Sequence, residues 1–450
     1  MSSEQQYIDL YNRQRTLLDA GSPDVLNACR DAAYKAFAAN GLPTHRLERY
    51  KYCDVQVAFA PDYGINLRRS VPTADPYETY RCAVPNLSAS VYYVVNDTPV
   101  IIADKTAPLP EGVSVCAFRN AGGDCRRLIE THYQRAAGKD CDGVAALNTM
   151  LAQDGLLIHI PDGACLDHPL QIVNVAVASQ PLMAVRRVLI IAGRGAKGNI
   201  LFCDHAIGQT DYLTTQVVEA FAAEDADVAL YSLEETSGGN RRFNNVYVEQ
   251  QAGSYVSYNG IVLTCGQTRN TVDFRLLGPG ACAVANGAII ADGHQRVDNN
   301  ILVDHIAPNC QSDLLYKYVL DGYSTGAYAG RVLVRHDAQK TASQQTNANI
   351  CAAPTAHAFA QPMLEIYADD VKCNHGSSTG KLDEAALFYM RQRGIPESEA
   401  RLFLQHAFIN DVLRRIGMEQ LRDRLSHLVE LRFRGQLSQC RECHGCGTKD

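Results

Sequence analysis

Between about Leu156 and Thr379 the chain repeats itself, and this constrains its fold more than any other feature. Short runs of β-favouring residues recur there, separated by Gly, Asn and Asp, with no helix-length periodic segment. Aligning "NGIVLTCG", "NGAIIADG" and "KYVLDGY" places Ile261, Ile289 and Val319 at spacings of 28 and 30. A second series, "NNVYVEQ", "NTVDFRLLG", "NNILVDH" and "AGRVLVR", places Val246, Val272, Ile301 and Val332 at 26, 29 and 31. One period near 28 with two or three strands per repeat is too short for a propeller blade and lacks the helix of most leucine-rich repeats. It suits a parallel β-helix, in which each rung buries a few aliphatics and gains stability by stacking on its neighbours. An antiparallel sandwich is the competing reading.

The flanks follow different rules. Leu10, Leu17, Leu18, Val25, Leu26, Ala33, Ala36 and Phe37 recur at helical spacing before the break at Gly41-Leu42-Pro43, and extended runs such as "VYYVV" then precede a helix expected in "DCRRLIETHYQRAAG". After Thr379, "LDEAALFYMRQRG" reads as a helix, Pro396 opens a second with Leu404, Phe408, Val412 and Ile416 on one stripe, and "EQLRDRLSHLVELRFR" forms a third. The expected organisation is therefore a mixed helical and α/β region over 1–150, a β-helix core over 151–378, a small helical domain over 379–435 and a cysteine-rich tail over 436–450.

At 450 residues the chain is long enough for several such units, and a net charge of −7 with no basic stripe in its centre argues against nucleic acid. No run reaches the roughly 18 to 20 apolar residues of a membrane span, and the polar start "MSSEQQYIDLYNRQR" has no apolar core of a leader, so a cytoplasmic location is expected. The 16 cysteines are then read as reduced thiols, most of them single core residues such as Cys116 and Cys203.

Four groups of residues carry chemistry. In "YADDVKCNHGSSTGKLDE", Gly376 and Gly380 enclose three residues where a phosphate loop needs four, and Leu382 stands in place of its hydroxyl, so the run is expected to be a linker and not a nucleotide site. Cys373 and His375, two apart in an extended segment, project from one face and supply a thiol and an imidazole. They are either a core thiol beside a hydrogen-bonded imidazole, or two ligands of a metal or cluster site whose other ligands lie elsewhere. Cys440, Cys443 and Cys446 in the tail have C-x₂-C-x₂-C spacing without the fourth cysteine of a ferredoxin run, and suit metal binding or an idle tail. Asp292, Asp298, Asp304 and Asp321 on neighbouring rungs would be the carboxylates of a carbohydrate-active β-helix enzyme, against which stand the absent export signal and the absence of tryptophan. No G-x-S-x-G elbow is present for a serine hydrolase.

Two long stretches add a resemblance. "GRVLVRHDAQKTASQQTNANI" and "LEIYADDVKCNHGSSTGKLDEAALFYMRQRGI" resemble the SufB/SufD family of iron–sulfur cluster assembly proteins, and "ALNTMLAQDGLLIHIPDG" is similar to the family's lead-in to its β-helix. "RLERYKY" resembles a family segment in which Tyr50 takes a tryptophan's place. Where SufB-type members have His-Glu and Gln-Cys-Asp, this chain has His375-Gly376 and Gln345-Thr346-Asn347, which assigns it to the SufD side of the family.

The resemblance implies a mainly β fold with a right-handed parallel β-helix, and a non-catalytic scaffold in a complex with a SufB-like sister and two copies of a SufC-like ATPase. It implies that the two β-helices meet near their C-terminal rungs and that the C-terminal helical domain docks the ATPase, which holds the nucleotide in place of this chain. Cys373 and His375 would then form half of a site for transient iron or a nascent cluster, shared with the sister subunit. A homodimer that binds metal on its own is the alternative to the hetero-complex, and a sugar-active enzyme is the alternative to the scaffold.

Overall fold

The computed structural model describes residues 3–69, 75–80, 87–138, 142–208 and 210–437. Its core is a two-faced parallel solenoid. Successive strands alternate between a ten-stranded and a nine-stranded sheet, so each pairs with the strand two before it in the chain. Tyr255 is in register with Cys282, and Cys282 with Gln311, one turn of the coil at each step. Antiparallel pieces close the N-terminal end: Thr98–Val100 on Ser90–Val95, and Ser114–Ala117 on Leu156–Ile160.

The turns between strands explain the scattered Gly, Asp and Asn. Gly195, Asp225, Gly253, Gly280, Asn309 and Lys340 occupy the same corner of successive coils, each with positive φ between 56° and 74°. Glycine reaches this left-handed region without strain, and Asp and Asn tolerate it better than most residues. The N–H of Asp225, Gly253, Gly280 and Asn309 donates to a carbonyl of the next turn, at Ala252, Pro279, Pro308 and Gln339 respectively. The corner is thus stacked by hydrogen bonds as the sheets are.

The repeat is real, but its register differs from the sequence alignment. Val246, Val272 and Ile301 are true partners, whereas Ile301 next meets Gly330 and Val332 meets Val303. In the other series Ile261 pairs with Ala288, while Ile289 pairs with Val262. Such a one-residue slip moves a side chain to the opposite face. The cause is that these strands are buried on both faces, so apolar residues run continuously and do not alternate.

Inside the coil, Val256, Tyr258, Ile289, Leu314 and Tyr316 belong to one continuous core. A polar ladder runs through it: Gln216 donates to Asn244 (3.0 Å), Asn244 to Asn270 (3.4 Å), Asn270 to Asn299 (3.0 Å) and Asn299 to the Tyr318 hydroxyl (2.6 Å). Arg186 and Arg242 share the buried Asp204 at 2.8 and 2.9 Å.

Helices cover both outer faces. The helices Ser3–Ala20 and Asp24–Asn40 bring Leu18 and Phe37 into one cluster with Met183, Val185, Leu213 and Phe243 of the nine-stranded sheet. A helix not expected from sequence, Gly143–Leu151, lies beneath them with every residue buried. Having no polar face, "GVAALNTML" carries no amphipathic signal. The expected helix in "DCRRLIETHYQRAAG" spans Gly123–His132 and stops before Gln134, whose φ is +64°. On the ten-stranded sheet, Ile261, Ile290 and Val319 pack with Ile409, Val412 and Leu425 of the helices Glu397–Leu413 and Glu419–Phe433. Pro396 caps the first of these and does not open it. Asp383 caps the preceding helix, Glu384–Gln392, through the N–H groups of Ala385 and Ala386.

Candidate functional site at the last rung

The solenoid ends in two strands, His357–Ile366 and Val371–Gly380, that close the nine- and ten-stranded sheets respectively. Val371–Gly380 pairs with Thr341–Cys351 on one side and has no strand on the other among the described residues. The glycine run expected as a linker is therefore ladder strand as far as Gly380. Extended backbone cannot wrap a phosphate, so the phosphate loop is absent structurally as well as by spacing.

Along this strand Val371 and Cys373 pack partly against the interior core, and His375 follows on the same face by alternation. Cys373 is half-buried and His375 exposed. Burial pushes the Cys373 thiol up, partly offset by a hydrogen bond with the Ser343 backbone beneath it. The group is thus a protonated thiol in the free chain, and a thiolate only when a metal or a positive neighbour stabilises it.

The rung below is polar and ordered. Ser343, Gln345, Asn347 and Asn349 lie in register under Cys373, His375, Ser377 and Thr379. Ser377 donates to Asn347 (3.3 Å) and Asn349 to Thr379 (3.0 Å). Gln345 is fully buried and its Oε1 accepts from the Tyr328 hydroxyl at 2.9 Å. Further down, the Ser343 and Ser312 hydroxyls are 2.8 Å apart, and Ser312 is 2.9 Å from Nε2 of His305, whose imidazole burial pushes down to about 4.

Cys373 and His375 are thus together on one face at an open edge, but they are only two donors. No group of three or more His, Cys, Asp or Glu among the described residues could hold a metal ion. A closed iron or zinc site needs three or four, so these two alone do not make one. Cys440, Cys443 and Cys446 lie outside the described residues.

The four candidate carboxylates are not brought together. Asp292 pairs with Arg432 (2.9 Å), which holds its carboxyl below the usual range; Asp298 pairs with Arg269, and burial pushes its carboxyl up. Asp304 pairs with Arg335 (2.9 Å), and Asp321 accepts from the N–H of Gly322 in its own turn. A glycosidase needs two carboxylates facing one cleft. Each of these aspartates is instead engaged separately.

Two features had weak sequence signals. Tyr50 is buried, its hydroxyl bonds Asp142 at the start of the buried helix, and Arg269 sits 4.3 Å over its ring. Phe388, Tyr389 and Phe403 on the C-terminal helices are 62, 59 and 48% exposed, while Val412 and Ile416 of the expected stripe face inward. Contiguous exposed apolar patches mark interaction surfaces more often than a lone exposed Leu does.

Residues 174–408 match the family model described as SUF system FeS cluster assembly, SufBD core domain, and residues 1–172 match the SufBD protein N-terminal region. The chain belongs to the SufBD family. An iron–sulfur cluster assembly SufBD family protein of Synechocystis is 24% identical over 93% of this chain and 94% of its own length. The iron–sulfur cluster assembly protein SufD of Bacillus subtilis is 21% identical over 77% and 80%. That of Escherichia coli is 31% identical over a shorter stretch, 34% of this chain and 37% of the relative. A role in SUF iron–sulfur cluster assembly, and likeness to SufD among SufBD proteins, follow from these matches. No helix among the described residues is long and apolar enough to cross a membrane.

Proposed function

We propose that this chain is a non-catalytic scaffold of cluster assembly that completes its site with a second subunit. The observation that carries this reading is the open last rung, where Cys373 and His375 stand two apart on one face of a strand paired on one side only, with no third ligand among the described residues. An edge strand of this kind is a template for another chain. A SufB-like sister meeting the rung would add the remaining donors, and iron or a nascent cluster would be held as cargo between the two. Neutral imidazole and thiolate are both good ligands for iron.

In the same proposal Phe388, Tyr389 and Phe403 form the docking face for a SufC-like ATPase, and the Cys440, Cys443, Cys446 tail is an accessory thiol group. The nucleotide stays on the ATPase. Anaerobic co-expression with SufB- and SufC-type partners, followed by iron and sulfide analysis, tests it. A complex should form, and His375→Ala should lower its iron and sulfide content several-fold; unchanged loading would refute the role of His375.

A further inference from the structure

We propose that Cys116 and Cys125, at the opposite end of the solenoid from the last rung, form a redox-active dithiol that a peroxide converts reversibly into a disulfide, clasping the N-terminal end of the coil.

By its sequence neighbours alone Cys116 is one more core thiol, but the fold gives it a partner. Cys116 lies on Ser114–Ala117, the edge strand of the nine-stranded sheet, in register with Leu157. Cys125 lies in the first turn of the helix Gly123–His132 that follows. Both side chains are half-buried and pack against one cluster, which contains Phe118, Ile129 and Leu157. They are free thiols joined to each other by a side-chain hydrogen bond. Burial, repulsion between the two sulfurs as anions and that hydrogen bond push the Cys116 thiol up to about 12. Two such groups give up their protons one at a time, and Cys116 is the one that keeps its proton.

This fixes the order of the chemistry. The Cys125 thiolate attacks the O–O bond of a peroxide: an S–O bond forms, the O–O bond breaks, and the departing oxygen takes the proton that Cys125 gave up and leaves as water. The Cys116 sulfur then attacks the sulfenic sulfur of Cys125. The S–S bond forms, the S–O bond breaks, and a second water carries off the Cys116 proton. In sum two thiols lose two electrons and one hydrogen peroxide becomes two waters. Exchange with a dithiol reductant returns both thiols.

The backbone can follow as the sulfurs close. Strand and helix are linked by the turn Phe118–Asn120 and by Ala121-Gly122-Gly123, and a Cβ on Gly122 or Gly123 would meet nothing within 4 Å. The strand Ser114–Ala117 is held to its sheet on one side only, by Leu156–Ile160. A disulfide ties it to a helix whose Ile129 is already anchored in the cluster, and so restricts opening of this end.

The test is mass spectrometry of the full chain exposed to hydrogen peroxide, trapped with a maleimide and digested with trypsin. Cleavage after Arg119 puts the two cysteines on separate peptides, 106–119 and 120–126. These two should appear cross-linked and two hydrogens lighter than their sum, before the exposed Cys165 is oxidised, and dithiothreitol should separate them. Cys116→Ser should leave Cys125 as a sulfenic acid that dimedone captures, and Cys125→Ser should leave Cys116 a free thiol. Oxidation of Cys165 while Cys116 and Cys125 stay reduced, or recovery of the two in separate mixed disulfides, would overturn the inference without any variant having to fold. Amide hydrogen exchange over 114–117 and 123–132 should slow on oxidation; unchanged exchange in the cross-linked chain would overturn the clasp.

Discussion

Strand Tyr212–Ala222 in the middle of the solenoid and strand Val371–Gly380 at its end have the same parallel pairing, yet every residue of the first is buried and most of the second are exposed. The middle strand tolerates Thr215, Gln216 and Glu219 because each is hydrogen-bonded to a neighbour. The end strand is almost wholly polar, and only its inward thiol and aliphatic positions reach the core. What separates the two is cover: helices lie over both outer faces of the middle, and nothing described lies over the last rung. In the middle a polar group serves the fold, and at the end most polar groups stay exposed.

The sharpest way to break this contrast is at Glu219. Its carboxylate accepts from the N–H groups of Gln134, Ala136 and Ala137 at 3.0 to 3.1 Å and pairs with Arg187 at 2.7 Å. Glu219→Leu leaves Arg187 buried and uncompensated, and should cost about 3–5 kcal/mol in denaturant unfolding. A loss below about 1 kcal/mol would mean that the middle is as permissive as the end.

The next effect is pH-dependent. His305 is buried, and its imidazole titrates near 4 in the fold against 6.5 unfolded. Between these values the unfolded chain binds more protons, so stability contributed by neutral burial is present above about 6.5 and is lost as pH falls towards 4. The full span corresponds to about 3 kcal/mol. Comparing unfolding midpoints of the wild type and His305→Gln at both ends of the window isolates this slope, which the variant should lack. Somewhat smaller is the effect of Gly287→Ala, whose Cβ would lie 2.2 Å from the buried ring of Tyr316; overpacking of this kind costs about 1–3 kcal/mol, read as a lowered thermal midpoint.

The same contrast explains what sequence could and could not reveal. The period near 28 survives because each coil must return to its neighbour, and the flanking helices announce themselves through Leu10, Leu18 and Phe37 or Leu404 and Phe408. Register was legible only in part: Val246, Val272 and Ile301 align, but Ile261 and Ile289 slip, since burial on both faces erases the alternation that fixes phase. The buried helix Gly143–Leu151 was hidden for the same reason. Cys373 and His375 were visible as a pair because spacing of two in a strand means one face.

The smallest expected change in stability is at the end strand itself. His375 is exposed and Cys373 only half-buried, so His375→Ala should alter the unfolding free energy of the isolated chain by no more than about 0.5 kcal/mol, as exposed substitutions generally do. That small number is informative because it is set against Glu219, on a strand with the same pairing. If His375→Ala destabilised the free chain by several kcal/mol, the imidazole would be a structural group like those of the middle, and its loss in a complex would say nothing of ligand binding. If the free chain is indifferent while the assembled complex loses iron and sulfide, the side chain is kept for what it does across the interface. The comparison thus separates a rung that holds the coil together from a rung that, on the proposed function, another chain completes.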